Sequence, residues 1–174
     1  MSNSTKIIYI LISFAALFSL FYGWYKFTYS MEEAASFEVN SKENQTSLLI
    51  ATQGSEFKNG LTNNIVNYYK EKTVFIKVID ISKLKNIDIK DFNGILLIHT
   101  WENTKPPISI KKFINNNSQI KAKTIVYTTS GAGTKKMKDV DALTGESKIN
   151  DIDKASKQII EKLTPILKTE NIKI

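Results

Sequence analysis

A chain of 174 residues with a formal net charge of +7 has the length of one domain and an appendage, not of two domains. Its positive charge is all lysine; with no arginine, the bidentate forks that read bases and clamp phosphates are missing, which argues against nucleic-acid binding. With no cysteine and one histidine, His99, disulfides, thiolate catalysis, lipoprotein acylation, iron–sulfur ligation and cysteine or multi-histidine zinc sites are excluded.

Residues 1–6 form a short N-terminus that carries Lys6, and residues 7–25 (IIYILISFAALFSLFYGWY) follow without a charge. At the rise of an α-helix this run spans about 28 Å, close to the roughly 30 Å of bilayer hydrocarbon. Tyr22, Trp24 and Tyr25 gather at its end, where amphipathic rings prefer the headgroup boundary. The run is therefore expected to be a single-pass transmembrane anchor. The rival is a cleaved signal peptide, with Ala34, Ala35 and Ser36 as small residues for processing. They lie well past the apolar run, however, beyond Lys26, Glu32 and Glu33. Lys6 and the α-amino group precede the span, whereas Lys26 is outnumbered by Glu32, Glu33 and Glu38 after it. This bias places the N-terminus in the cytoplasm and the rest of the chain on the extracytoplasmic, periplasmic side. Residues 26–46 are polar and aperiodic and read as a tether.

The soluble domain is expected over residues 47–168, with a tail at 169–174. Its first strand is SLLIAT at 47–52, and Asn59 and Gly60 open a helix with Leu61, Ile65, Tyr68 and Tyr69 at helical spacing. Residues 73–81 (TVFIKVIDI) and 94–99 (GILLIH) read as the second and third strands. Pro106 and Pro107 suit the first turn of a helix whose apolar face carries Ile110, Phe113 and Ile114. TIVYT at 124–128 is a fourth strand, closed by Ser130, Gly131, Ala132 and Gly133. From Asp151 a closing helix runs through Ala155, Ile159 and Leu163, with Pro165 expected to end or kink it. Apolar strands alternating with helices predict an α/β three-layer sandwich around a central parallel sheet. In such sheets ligands bind at the carboxyl ends of the strands, which directs attention to loops 53–60, 99–107 and 129–148.

These loops resemble those of the flavodoxin-like fold, in its flavin-mononucleotide reductase and quinone-reductase branch. Residues 54–62 (GSEFKNGLT) are similar to that branch's phosphate loop, GSPRKNGNT, agreeing at six of nine positions. The resemblance implies that Thr52, Gly54, Ser55, Lys58, Asn59, Gly60 and Thr62 surround the phosphate of flavin mononucleotide (FMN), with the loop and the helix start supplying amides and hydroxyls. Glu56 and Phe57 depart from the motif. Residues 94–115 are similar to the family's third strand, aromatic loop and proline-led helix, which implies Trp101 as a stacking residue, with His99, Thr100, Glu102 and Asn103 beside the ring. Ser130, Gly131 and Gly133 match the small-residue loop on the ring's other side. The helix the family places after this loop has room only for residues 134–138, so it is expected to be missing or vestigial. Residues 141–147 (DALTGES) are similar to a covalent flavin-attachment string of another fold, with Ser147 at the acceptor place. A structural turn is the competing reading.

Blander readings accompany these roles. His99 is equally a packed histidine bonded to a loop carbonyl, Trp101 a cover over the sheet edge, and Ser55 a helix cap. Lys111 and Lys112, and Lys135, Lys136 and Lys138, read as solvated faces, with anionic lipid headgroups as their functional alternative. Two functions follow. In one, a membrane-anchored flavodoxin-like protein uses FMN for electron transfer or quinone-type reduction, with membrane lipid and a redox partner or quinone as its company. In the other, the domain is a flavin-free interaction or assembly module.

Overall fold

The computed structural model describes residues 2–29, 31–102 and 104–169. The chain divides into two compact units, residues 1–31 and 32–174.

The first unit is a single helix, α1 (Asn3–Tyr29). Its stretch Asn3–Trp24 has a mean hydropathy of 2.0 and is long and apolar enough to cross a membrane. The large apolar side chains from Ile7 to Trp24 are all more than half exposed. Ser19, a polar residue within this run, turns its hydroxyl back onto the Ala15 carbonyl at 2.8 Å and so leaves no donor unsatisfied.

The second unit is built on a six-stranded sheet in the order β1-β3-β2-β4-β5-β6. The strands are β1 (Phe37–Val39), β2 (Ser47–Thr52), β3 (Phe75–Asp80), β4 (Gly94–Thr100), β5 (Thr124–Thr129) and β6 (Asp141–Gly145). All neighbours pair in parallel except β1, which runs antiparallel to β3. Strand periodicity sends alternate residues of β2 to opposite faces. Leu48 and Ile50 join Leu61, Ile65, Ile159 and Leu163 beneath α2 (Glu56–Lys70) and α4 (Ile152–Thr169). Leu49 and Ala51 join Ile110, Phe113 and Ile114 beneath α3 (Ile108–Asn116) on the other face. The expected three layers are present, and β2 and β4 are buried along almost their whole length because both faces are covered.

Four expectations change. The tether assigned to 26–46 is in part sheet: Phe37–Val39 pair with Val78, Lys77 and Ile76, and Ala34 is buried with its amide on Asp80 Oδ2 at 2.9 Å. A strand of three residues is too short for its alternation to stand out in a polar segment. The string at 141–147 supplies β6, paired with β5 from Ile125 to Thr129. Only Ala142 of that strand is buried, so it carries little hydrophobic signal. Helix α2 begins at Glu56 rather than near Asn59, because Ser55 caps it: its hydroxyl accepts from the Lys58 amide at 3.3 Å. Finally, α4 continues past Pro165 to Thr169. Buried Leu163 and Leu167 hold both sides of the proline on the sheet, and the Thr164 and Tyr69 hydroxyls both reach the Ile160 carbonyl in the turn before it.

Candidate functional site

Loops 53–55, 101–107 and 130–140 meet at the carboxyl edge of the sheet, where β2 and β4 lie side by side and the chain leaves in opposite directions. Gln53 ties two of them together. Its Oε1 accepts from the Thr100 amide at 2.8 Å, and its Nε2 donates to Glu102 Oε1 at 3.2 Å. Sequence reading did not single out Gln53; the only signal was a polar residue closing an apolar strand. Glu102 and Lys105 exchange both backbone hydrogen bonds at 3.0 Å, closing a tight turn in which Thr104 has φ +63°. Asn103 lies outside the described residues.

Beneath this edge two titratable side chains are fully buried, Lys58 and His99. Burial pushes the Lys58 amine down to about 8, and the Glu102 carboxylate opposes the shift. Its Nζ lies 3.4 Å from Ser55 Oγ. Burial pushes His99 down to about 4, with a small restoring effect from the Thr100 carbonyl and a further lowering by Lys58. His99 Nδ1 faces the Thr100 carbonyl at 3.4 Å and Nε2 faces the Thr128 hydroxyl at 3.3 Å. A carbonyl only accepts, so the neutral ring carries its proton on Nδ1 and accepts from Thr128. His99 is thus packed at the end of β4 between the Thr100 carbonyl and the Thr128 hydroxyl.

The loop after β5 is held by its own polar groups. Gly133 takes φ +63°, its amide donates to the Ser130 carbonyl at 3.0 Å, and Ser130 Oγ accepts from the Lys135 amide at 3.3 Å. From β6, the Thr144 hydroxyl reaches the carbonyls of Lys135 at 2.6 Å and Gly133 at 3.1 Å. Residues 130–140 contain no helix, and Met137 and Val140 pack instead against the core beneath α3.

The result is an open cleft of about 1240 Å³ between the loop after β4, the face of α3 and residues 136–138. Of the residues expected to bind a ligand, only Trp101 and Glu102 line it. Trp101 brings a buried indole N–H with no hydrogen-bond partner among the described residues. Thr52, Thr100, Ser130 and Gly133 hold one another and their loops by hydrogen bonds, and Gly131 is exposed with open space around it. No cluster of three or more His, Asp or Glu side chains suited to a metal occurs among the described residues.

No protein-family model and no curated protein sequence matches the chain. Solved structures do. A flavodoxin from the domain Archaea is 13% identical, with 70% of this chain and 99% of that one covered and a TM-score of 0.49. The flavodiiron core from Synechocystis is 10% identical, with 74% and 38% covered and a TM-score of 0.50, so this chain spans well under half of that one. An oxidoreductase from Corynebacterium diphtheriae is 11% identical, with 72% and 98% covered and a TM-score of 0.48. Of the three, the likeness at a TM-score of 0.50 bears on the fold, and on the fold alone, which has a further mark of its own. Counted along the chain, the five parallel strands lie in the order second, first, third, fourth, fifth, with the switch between β2 and β4.

The fold is flavodoxin-like.

Whether these residues fit FMN is decided at the start of α2. A phosphate loop wraps its anion with free amides, and here residues 56–62 already belong to α2, whose first turn leaves its amides without intrahelical partners. The Gly54 amide donates to the Glu32 carbonyl at 2.7 Å, and a Cβ at Gly54 would lie 2.8 Å from that same oxygen. Ser55 is spent on capping, Asn59 is exposed, and Thr62 is buried with its hydroxyl unpartnered among the described residues. Gly60 serves helix packing, since a Cβ there would meet Ile152 Cδ1 at 2.7 Å. Lys58, the cation of the motif, is sealed inside, and Glu56 places a carboxylate in the first turn. At the position the motif implies, the Gly54 amide and the Ser55 hydroxyl are engaged within the chain, and the amides of the first turn of α2 are what a phosphate would meet.

Proposed function

We propose that the chain is a single-pass membrane protein whose flavodoxin-like domain acts as a flavin-free binding or assembly module on the extracytoplasmic side. The observation that carries this reading is the start of α2: the strap at Glu32 takes the Gly54 amide, and the Ser55 hydroxyl accepts from the Lys58 amide and lies 3.4 Å from the Lys58 Nζ. The domain keeps the ligand edge of its fold and replaces the phosphate loop with a capped helix. Apolar helix α1 and the charge bias around it support the anchor and its orientation.

A second reading, FMN-dependent electron transfer or quinone-type reduction, is favoured by one observation. The Trp101 indole N–H, without a partner among the described residues, is a donor of the sort a flat heterocycle would use. The full chain, purified in detergent micelles, is expected to be colourless and to show no thermal shift with added FMN. A yellow protein that releases flavin on heating would overturn the first reading in favour of the second. A reporter fused after Ile174 is expected to be active only outside the cytoplasm, and activity confined to the cytoplasm would reverse the orientation.

A further inference from the structure

The lysines that look like separate solvated faces along the chain converge on one cleft. Lys105 comes from the loop after β4, Lys111 and Lys112 from α3, and Lys136 and Lys138 from the loop after β5. Met137 makes the convergence: it packs against the core beneath α3 in place of a helix and sets its two lysine neighbours on the cleft. Against these five lysines the lining holds one carboxylate among the described residues, Glu102, which Gln53 already engages. None of the five lysines forms an ion pair among the described residues. Between them lies apolar surface from Trp101, Pro107, Met137 and Ile108, whose 73% exposure is the highest of the large hydrophobic residues outside α1.

A basic rim around an apolar floor has the anatomy of a protein interface, with a desolvated centre and complementary charges that steer encounter. From this convergence of lysines around an apolar floor, we propose that the cleft binds an acidic, extended polypeptide segment carrying one bulky apolar side chain that packs beside Ile108. This deepens the reading of the domain as a binding module and rests on it. At about 1240 Å³ the cleft exceeds the roughly 300–1,000 Å³ typical of small-molecule pockets. A concave face fits a protruding segment better than a flat bilayer surface, and a second copy of a chain with net charge +7 would bring like charge to the site.

The test uses the full chain in nanodiscs of zwitterionic lipid and three short fluorescein-labelled peptides, read by anisotropy. One peptide alternates Asp and Glu around a central Leu, the second replaces the acids with Asn and Gln, and the third with Lys. The acidic peptide is expected to bind alone and to weaken about tenfold as ionic strength rises from roughly 0.05 to 0.3 M. Lys111→Glu combined with Lys136→Glu should weaken it on the order of tenfold or more, and Ile108→Ser severalfold, with the urea midpoint of each variant unchanged. Equal binding of the neutral or basic peptide, or charge reversal without effect, would overturn the proposal. If the acidic peptide does not bind, and instead anionic nanodiscs alone shift the tryptophan fluorescence of a Trp24→Phe chain in a way the lysine variants abolish, the face belongs to lipid and the proposal falls. The visible spectrum of the same preparation reports separately on the flavin-free reading.

Discussion

Lys58 gives the sharpest energetic handle on the start of α2. Its amine is held near 8 against an ordinary 10.5, chiefly because burial strips its water, with Glu102 recovering part of the loss. At about 1.4 kcal/mol per pH unit, that difference withholds about 3 kcal/mol of stability wherever both native and unfolded chains carry the proton, including pH 7. Between pH 8 and 10.5 the unfolded chain still binds a proton that the native chain has released, so native stability rises with pH in that window. Tyr69 limits the range: burial holds its phenol up at about 12, so its contribution to stability is present below pH 10 and lost above it. Lys58→Met keeps the stem and removes the charge. It forfeits the 3.4 Å contact with Ser55, worth about 1 kcal/mol, and should leave the domain about 2 kcal/mol more stable at pH 7. Urea unfolding of the full chain in micelles, followed by tryptophan fluorescence at pH 7 and at pH 8 to 10, measures both effects. The parent should gain about 2 kcal/mol across the upper interval and the variant should not. A variant less stable than its parent at pH 7, or a parent flat between pH 8 and 10, would refute the account of Lys58 as a costly buried cation.

His99, the only histidine, should give one imidazole NMR signal that titrates near pH 4 instead of 6.5. Because its native value is depressed, the unfolded chain binds the extra proton first as pH falls below 6.5, and about 3 kcal/mol should be lost by pH 4. His99→Gln should lessen that acid loss, and an unchanged acid limb would show that His99 is not its source. Gly54→Ala presses a methyl group on the Glu32 carbonyl and should detach the strap, seen as faster hydrogen exchange at Ala34 and residue 54 with the core amides unchanged. Gly133→Ala meets both a left-handed φ of +63° and the Glu146 amide nitrogen at 3.0 Å, and should cost about 1–2 kcal/mol in urea unfolding. No loss there would mean that the loop after β5 relaxes freely.

What was legible in the chain follows from how much apolar surface each element hides. Strands β2, β4 and β5 are buried on both faces and announce themselves as unbroken apolar runs, and α2 and α4 carry apolar residues at helical spacing. β1 and β6 sit at the ends of the sheet with one or no fully buried residue each, so no hydrophobic pattern marks them. At the site, the placement of Trp101 and Glu102 was readable because strand ends set loop positions. For Ser55 the sequence left a cap and a phosphate contact side by side, because the residue types that cradle an anion also cap a helix, and the burial of Lys58 beneath it carried no signal. What separates those outcomes is the Glu32 carbonyl, far away in sequence and visible only in three dimensions. The lysine cleft was hidden for the same reason: its two halves are joined by Met137 packing, which leaves no spacing to detect.

Strand β1 has a consequence beyond the site. A parallel sheet with a bare outer strand presents a row of amides and carbonyls to which any extended chain can add. Here that outer strand, β3, is covered by only three residues, and Glu38 in their middle is paired with Lys77 at 2.9 Å and with Lys42 at 3.4 Å. The cover is short, charged and antiparallel, and so a poor template for further growth. Such an edge is a safeguard against strand-by-strand aggregation, supplied by the polar stretch that leads into the domain.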